Sequence, residues 1–158
     1  MNRLPRLSEV KSLPEFRVEI WDRIQVADTD LSGVIYFDRY YRRAEAGYAE
    51  LVRASGASFK EMMGERFVTP AVSSRCDYFH AVTLDDRVRQ LAFLSHAGST
   101  STASDHHFLL EDGTQAATVR ITRATIDVET RESVTLERVL QDAPESHFAR
   151  FLRAARLP

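Results

Sequence analysis

The chain has 158 residues, 44% apolar and 28% charged, with a formal net charge of -2 and a single cysteine, Cys76. That length is most simply one domain with a real core, and the near balance of charge gives no general pull toward nucleic acid or an anionic membrane. A lone cysteine excludes an intrachain disulfide, no apolar run is long enough to cross a bilayer, and the start, MNRLPRLSEVKSLPEF, lacks a signal-peptide core; a cytoplasmic protein is expected.

In chain order, residues 1–15 carry two prolines and mixed charge and are expected to form a mobile leader. From Phe16 to Gln25 the chain alternates, with Phe16, Val18 and Ile20 opposed to Arg17, Glu19, Trp21 and Arg23, which predicts a strand. A polar turn with Asp28, Asp30 and Gly33 follows. From Phe37 onward, Tyr40, Tyr41, Ala44, Gly47, Tyr48, Leu51 and Val52 recur at three- and four-residue spacing, which predicts an amphipathic helix that Asp38 would cap and Gly56 would close. Ser58 is placed to cap one further helical turn.

Beyond Gly64 the period changes to that of strands. Phe67 to His80 reads as one strand with Pro70 near its start, Arg87 to His96 as a second, Thr102 to Leu110 as a third and Gln115 to Val128 as a fourth. Glu111-Asp112-Gly113-Thr114 is a hairpin turn signal. Pro144-Glu145-Ser146 is placed to start a terminal helix carrying Phe148, Phe151 and Leu152. The expected division is a leader at 1–15, one α+β domain at 16–130, in which a long central helix packs on an antiparallel sheet, and an extension at 131–158.

The polar turn is where chemistry concentrates. A carboxylate lies just upstream of a helix start whose free N–H groups could polarise a carbonyl. The competing interpretation is that Asp28 and Asp30 are ordinary turn and cap residues. The five histidines show no metal-ligand spacing, and rings on the adjacent pair His106-His107 should face opposite sides of a strand. Cys76 is expected as a small buried side chain.

Asp28-Thr29-Asp30-Leu31-Ser32-Gly33-Val34, with Tyr36, Tyr40 and a helix, resembles the signature of the hot-dog-fold acyl-CoA thioesterases. The nearest branch is the 4-hydroxybenzoyl-CoA thioesterase family, which is related to the Tol–Pal-associated enzymes. Thr69-Pro70-Ala71-Val72-Ser73, then Phe79 and Leu84-Asp85-Asp86, resembles the next strand and turn of that family. The resemblance implies a hot-dog fold and hydrolysis of an acyl thioester, aromatic or otherwise compact, to acid and thiol. It implies Asp30 as nucleophile or base, the Phe37 backbone N–H as oxyanion donor and Glu45 as a further acidic contact. Gly33, Val34, Tyr36, Tyr40, Thr69 and Ser73 would line the substrate. No metal or redox cofactor is implied, coenzyme A being part of the substrate, and sites between subunits imply a homodimer or homotetramer.

The match has gaps. The Tol–Pal branch has histidine where Phe37 stands, both branches commonly have asparagine where Arg39 stands, and the aryl-CoA enzyme has a basic cluster where this chain has His96-Ala97-Gly98-Ser99-Thr100. The last difference leaves the carrier open between coenzyme A and a carrier protein's pantetheine arm. A hydratase of the same fold and a non-catalytic acyl-thioester binding module are the rival functions.

Overall fold

The computed structural model describes residues 3–155. Five strands, β1 (Val18–Arg23), β3 (Ala71–Tyr78), β4 (Arg87–Ala97), β5 (Ser101–Leu110) and β6 (Gln115–Ala124), form an antiparallel sheet in the order β1-β4-β5-β6-β3. The long helix α1 (Phe37–Ala54) lies in its concavity, so the chain has the α+β hot-dog arrangement of a central helix wrapped by a sheet. A short helix α2 (Phe59–Met62) and a two-stranded ladder of β2 (Phe67–Val68) with β7 (Ile126–Asp127) close one end, and α3 (Leu136–Asp142) and α4 (His147–Ala155) complete it.

Helix α1 forms where the apolar period demands, burying Tyr40, Ala44, Gly47, Tyr48, Leu51 and Val52 along one stripe. Each large side chain removed from water there contributes about 2 kcal/mol. The row it meets on the sheet is Ile20, Gln90, Phe108, Ala117 and Tyr78, one residue from each strand. Gly47 sets the spacing of the two layers. A Cβ at that position would lie 2.1 Å from Gln90 Nε2, which donates to the Arg43 carbonyl at 2.9 Å and contacts His106 Nδ1 at 3.0 Å. Gly47→Ala is therefore expected to lower stability by about 1–2 kcal/mol. Helix propensity favours alanine by about 1 kcal/mol, but the displaced amide abandons two buried hydrogen bonds. Urea unfolding at neutral pH measures the change, and a gain in stability would mean that helix and sheet tolerate a wider gap.

Asp38 does not cap α1. Tyr36 occupies the cap position without a capping side chain, while Asp38 sits inside the first turn and faces Arg42 at 3.3 Å and Arg39 at 3.5 Å. Ser58 does cap α2, accepting from Glu61 N–H at 3.2 Å. The strand expected from Phe67 to His80 is two strands, β2 and β3, separated at Thr69-Pro70. Proline has no N–H for the ladder, so the chain changes partner there, from β7 to β6. The run from Gln115 to Val128 divides correspondingly at Thr125 into β6 and β7.

The segment expected as a mobile leader is docked on the outer sheet face. Leu4 is buried and its N–H donates to Asp77; Leu7 N–H donates to Gln115 Oε1 at 2.7 Å, and the Thr118 hydroxyl donates to the Pro5 carbonyl at 3.1 Å. Arg6 places its guanidinium 4.7 Å from the Phe79 ring centroid. On that face Phe93 stacks on His107, and Arg120 donates through Nε and Nη2 to the two oxygens of buried Asp105, each at 2.6 Å. The expected terminal helix is α4, and Phe148 and Phe151 enter the core beside Tyr48, Leu51 and Val52. Met1 and Asn2 of the leader and the last three residues of the extension lie outside the described residues. No described helix is long and apolar enough to cross a membrane.

Candidate active site

The turn before α1 is held by pairing that separates its two carboxylates. Asp28 accepts from Arg43 Nη2 at 2.9 Å and from Gln25 N–H at 2.9 Å, and Arg43 reaches on to Asp22 at 2.8 Å. The Arg43 guanidinium holds the Asp28 carboxyl below the usual range. Asp28 also accepts through its carbonyl from Tyr36 N–H at 2.8 Å, which ties the turn to the helix start. Asp28 is thus committed to structure.

Asp30 is not. Its carboxylate accepts from Ser32, through N–H at 2.7 Å and hydroxyl at 2.5 Å, and these donors, helped by the Val34 backbone N–H, hold its pKa below the ordinary range. No arginine or lysine pairs with it among the described residues. The loop closes on itself, with Asp30 N–H donating to Val34 O at 2.9 Å and Gly33 N–H to Asp30 O at 3.0 Å. Gly33 has φ +76°, a left-handed conformation that a side chain would strain, so this turn needs glycine there. In the single chain Asp30 is exposed, in the company of Leu31, Tyr36 and Phe37, which are also exposed. Phe37 is the first helical residue, and its N–H has no acceptor among the described residues.

Two of the cavities beside the helix hold expected site residues. The first, about 350 Å³, lies at its start, lined by Val34, Phe37 and Tyr40 together with Tyr78, Phe79, His80 and Val82. The second, about 360 Å³, lies farther along, lined by Glu45, Tyr48, Met62, Thr69, Ala71 and Arg123 among others. Glu45 is eight residues beyond Phe37, about 12 Å along the axis at 1.5 Å per residue. Within one chain the expected residues therefore divide. Asp30, Gly33, Val34, Tyr36, Phe37 and Tyr40 gather at the helix start, Glu45 and Thr69 share the second cavity, and Ser73 lies exposed on the free edge of β3. Tyr40 is buried against Tyr78 and Phe108 with ring centroids 5.4 and 5.3 Å away, and burial raises its hydroxyl pKa. Burial also pushes the Cys76 thiol up to about 11, leaving it protonated and a poor nucleophile.

Sequence reasoning missed Tyr78, Phe79, His80 and Val82, because only the pairing of β3 with β6 and the bridge of Val34 to Thr83 bring that strand end to the helix start. It considered Arg123 only as a strand arginine within reach of phosphate, not as part of the second cavity. The available signal was a charge at an inward position of β6, two residues after buried Ile121.

The family model of the thioesterase-like superfamily matches residues 24–144. The chain belongs to that superfamily. No curated protein matches the chain in sequence. Among solved structures, this thioesterase-like chain resembles a DHNA-CoA thioesterase from Staphylococcus aureus, with TM-score 0.72 and 18% identity, covering 87% of this chain and 91% of that one. It also resembles a 1,4-dihydroxy-2-naphthoyl-CoA thioesterase from Synechocystis, with TM-score 0.71 and 20% identity, covering 80% and 94%. A hypothetical protein of Staphylococcus aureus in complex with CoA gives TM-score 0.74 at 15% identity, covering 94% and 90%. At these identities the likeness is one of fold.

Proposed function

We propose that this chain hydrolyses the thioester of a compact acyl group carried on coenzyme A, releasing acid and thiol. The observation that carries it is the contrast between the two carboxylates. Asp28 is consumed by Arg43, whereas Asp30 stands ionised with no cationic partner among the described residues, next to a helix start whose first amide has no acceptor among them. Asp30 acts as nucleophile or as base toward water, and the Phe37 N–H receives the oxyanion. Structural neighbours that carry the names of CoA thioesterases support coenzyme A as the carrier.

The exposed carboxylate requires a second copy to close the site. β3 is an edge strand with Ala71 to Ser74 exposed. Antiparallel pairing of β3 with its copy about a two-fold axis sets the Ala71 end of one strand beside the Tyr78 end of the other. The second cavity of one protomer then adjoins the helix start of its partner, which would unite Glu45 and Thr69 with Asp30 and Phe37 across the contact.

Thiol release, followed with a disulfide reagent over a panel of acyl-CoA and acyl-carrier-protein thioesters, tests this directly. Turnover on compact acyl-CoA substrates is expected, together with a dimer or larger assembly in sedimentation. Tight binding without release would instead identify a binding module, and turnover on carrier-protein thioesters alone would move the enzyme to that carrier. A strictly monomeric enzyme would remove the trans site.

A further inference from the structure

Asp28 and Asp30 are held in different ways. Arg43 Nη1 reaches Oδ1 of Asp28 at 3.3 Å, while Arg43 Nη2 and the Gln25 N–H reach its Oδ2, each at 2.9 Å, so both oxygens are engaged. Ser32 donates to Asp30 through its N–H at 2.7 Å and its hydroxyl at 2.5 Å, and both bonds fall on one oxygen, Oδ1; Oδ2 receives neither. The main chain beneath is closed as well, since Asp30 N–H donates to Val34 O and Asp30 O accepts from Gly33 N–H. What is left to the carboxylate is rotation about χ1 and χ2, and two donors converging on one oxygen restrict both. Ser32 is itself exposed, fills no part of the core and does not have a left-handed φ. Its hydroxyl makes no other hydrogen bond among the described residues.

We infer that Ser32 is a positioning residue for hydrolysis, its hydroxyl and N–H pinning Oδ1 of Asp30 so that Oδ2 is presented to the thioester or to the attacking water. This rests on the thioesterase reading above, because it takes Asp30 as the reacting group. The hydroxyl bond has two consequences of opposite sign, which makes the role measurable. Electronically, the Ser32 donors, helped by the Val34 N–H, lower the basicity of the carboxylate. Losing the hydroxyl would raise that basicity and, by Brønsted behaviour, speed the reaction by a fraction of the change. Geometrically, the loss lets the carboxylate turn out of line, and a displacement of about 1 Å costs up to about 10²-fold. The geometric loss is the larger, so the rate should fall. A bond that served only the turn would leave kcat unchanged or, through basicity, raised.

Steady-state kinetics of the full chain on its best acyl-CoA substrate decide between these. Ser32→Ala removes the hydroxyl and keeps the N–H. It is expected to lower kcat about 10- to 100-fold, with KM within about twofold of the wild-type value and an unchanged melting temperature. Ser32→Thr restores the hydroxyl where no left-handed φ strains a branched side chain, and it should recover most of the rate. Ser32→Cys, close to serine in volume but a weak donor, takes the place of the alanine variant where that fails to fold. In the Asp30→Asn background Ser32→Ala should change nothing further, because it acts only through the carboxylate; general damage to the turn would not show that non-additivity. Unchanged or raised kcat in folded Ser32→Ala, failure of threonine to recover the rate, or an equal further loss on Asp30→Asn overturns the inference. Turnover that Asp30→Asn abolishes and Ser32→Ala leaves intact rejects the positioning role and keeps the hydrolase. A wild-type chain that releases no thiol from any thioester rejects both.

Discussion

Asp30→Asn is expected to lower kcat by about 10²–10⁴-fold, the range that a positioned acid–base group contributes, with little change in KM. The amide keeps an oxygen for the Ser32 N–H but neither attacks a thioester nor takes a proton from water. Because Asp30 is exposed and bonded only within its own turn, the melting temperature should hardly move. Asp28→Asn is the informative contrast. It weakens the charged bonds to Arg43 that anchor the turn to α1, so it should lower stability by about 1–2 kcal/mol. Near-normal turnover by Asp30→Asn on the best substrate would remove the proposed chemistry from this residue. The Ser32 donors also fix the pH behaviour. They lower the Asp30 pKa, so the active carboxylate is present above the ordinary range and disappears only as pH falls through the depressed value.

Acid is expected to cost the protein stability through two buried histidines, and this is the second large effect. His106 and His107 are both fully buried. His106 Nδ1 accepts from the Gln90 amide at 3.0 Å, beneath α1 and near the Arg123 charge; its Nε2–H then donates to Ser104 Oγ at 3.0 Å. His107, on the opposite face, accepts at Nδ1 from the Gln115 amide at 3.0 Å and lies near Asp105 and Arg120. Burial depresses the first to about 3 and the second to about 4, and protonating either Nδ1 would aim an N–H at an amide N–H. The unfolded chain takes up protons near the ordinary histidine value of about 6.5, so it binds more protons than the native state below that pH. The stability they contribute is complete above that value and declines as pH falls toward the native values. Between pH 7 and pH 5 the loss should be about 3–4 kcal/mol for the pair, at close to 1.4 kcal/mol per pH unit per group. Urea midpoints measured across this window, compared with a His106→Gln variant, provide the check. A flat profile from pH 7 to pH 5 would mean that the native state admits protonated imidazoles.

The same pair illustrates how much was legible beforehand. Adjacent strand residues must face opposite sides, so their divergence followed from the backbone period alone; their glutamine partners, 16 and 8 residues away, did not. The candidate site divides similarly. Gly33, the polar turn and the helix beginning at Phe37 were readable because turn chemistry and helical period are local. That Arg43 would claim Asp28 and leave Asp30 alone was not, since the choice depends on how the turn folds back over the helix.

The sequence by itself determined the α1 stripe, the period of the sheet strands and the α+β class. Those are properties of spacing and of single residues. Tertiary structure alone decided the strand order β1-β4-β5-β6-β3, the docking of Leu4 to Leu7 on the outer face and the meeting of Glu45 with Arg123 from 78 residues away. Each of these is a contact between segments whose separate patterns permit several partners. Only the simultaneous burial of one helix stripe and both sheet faces selects among them.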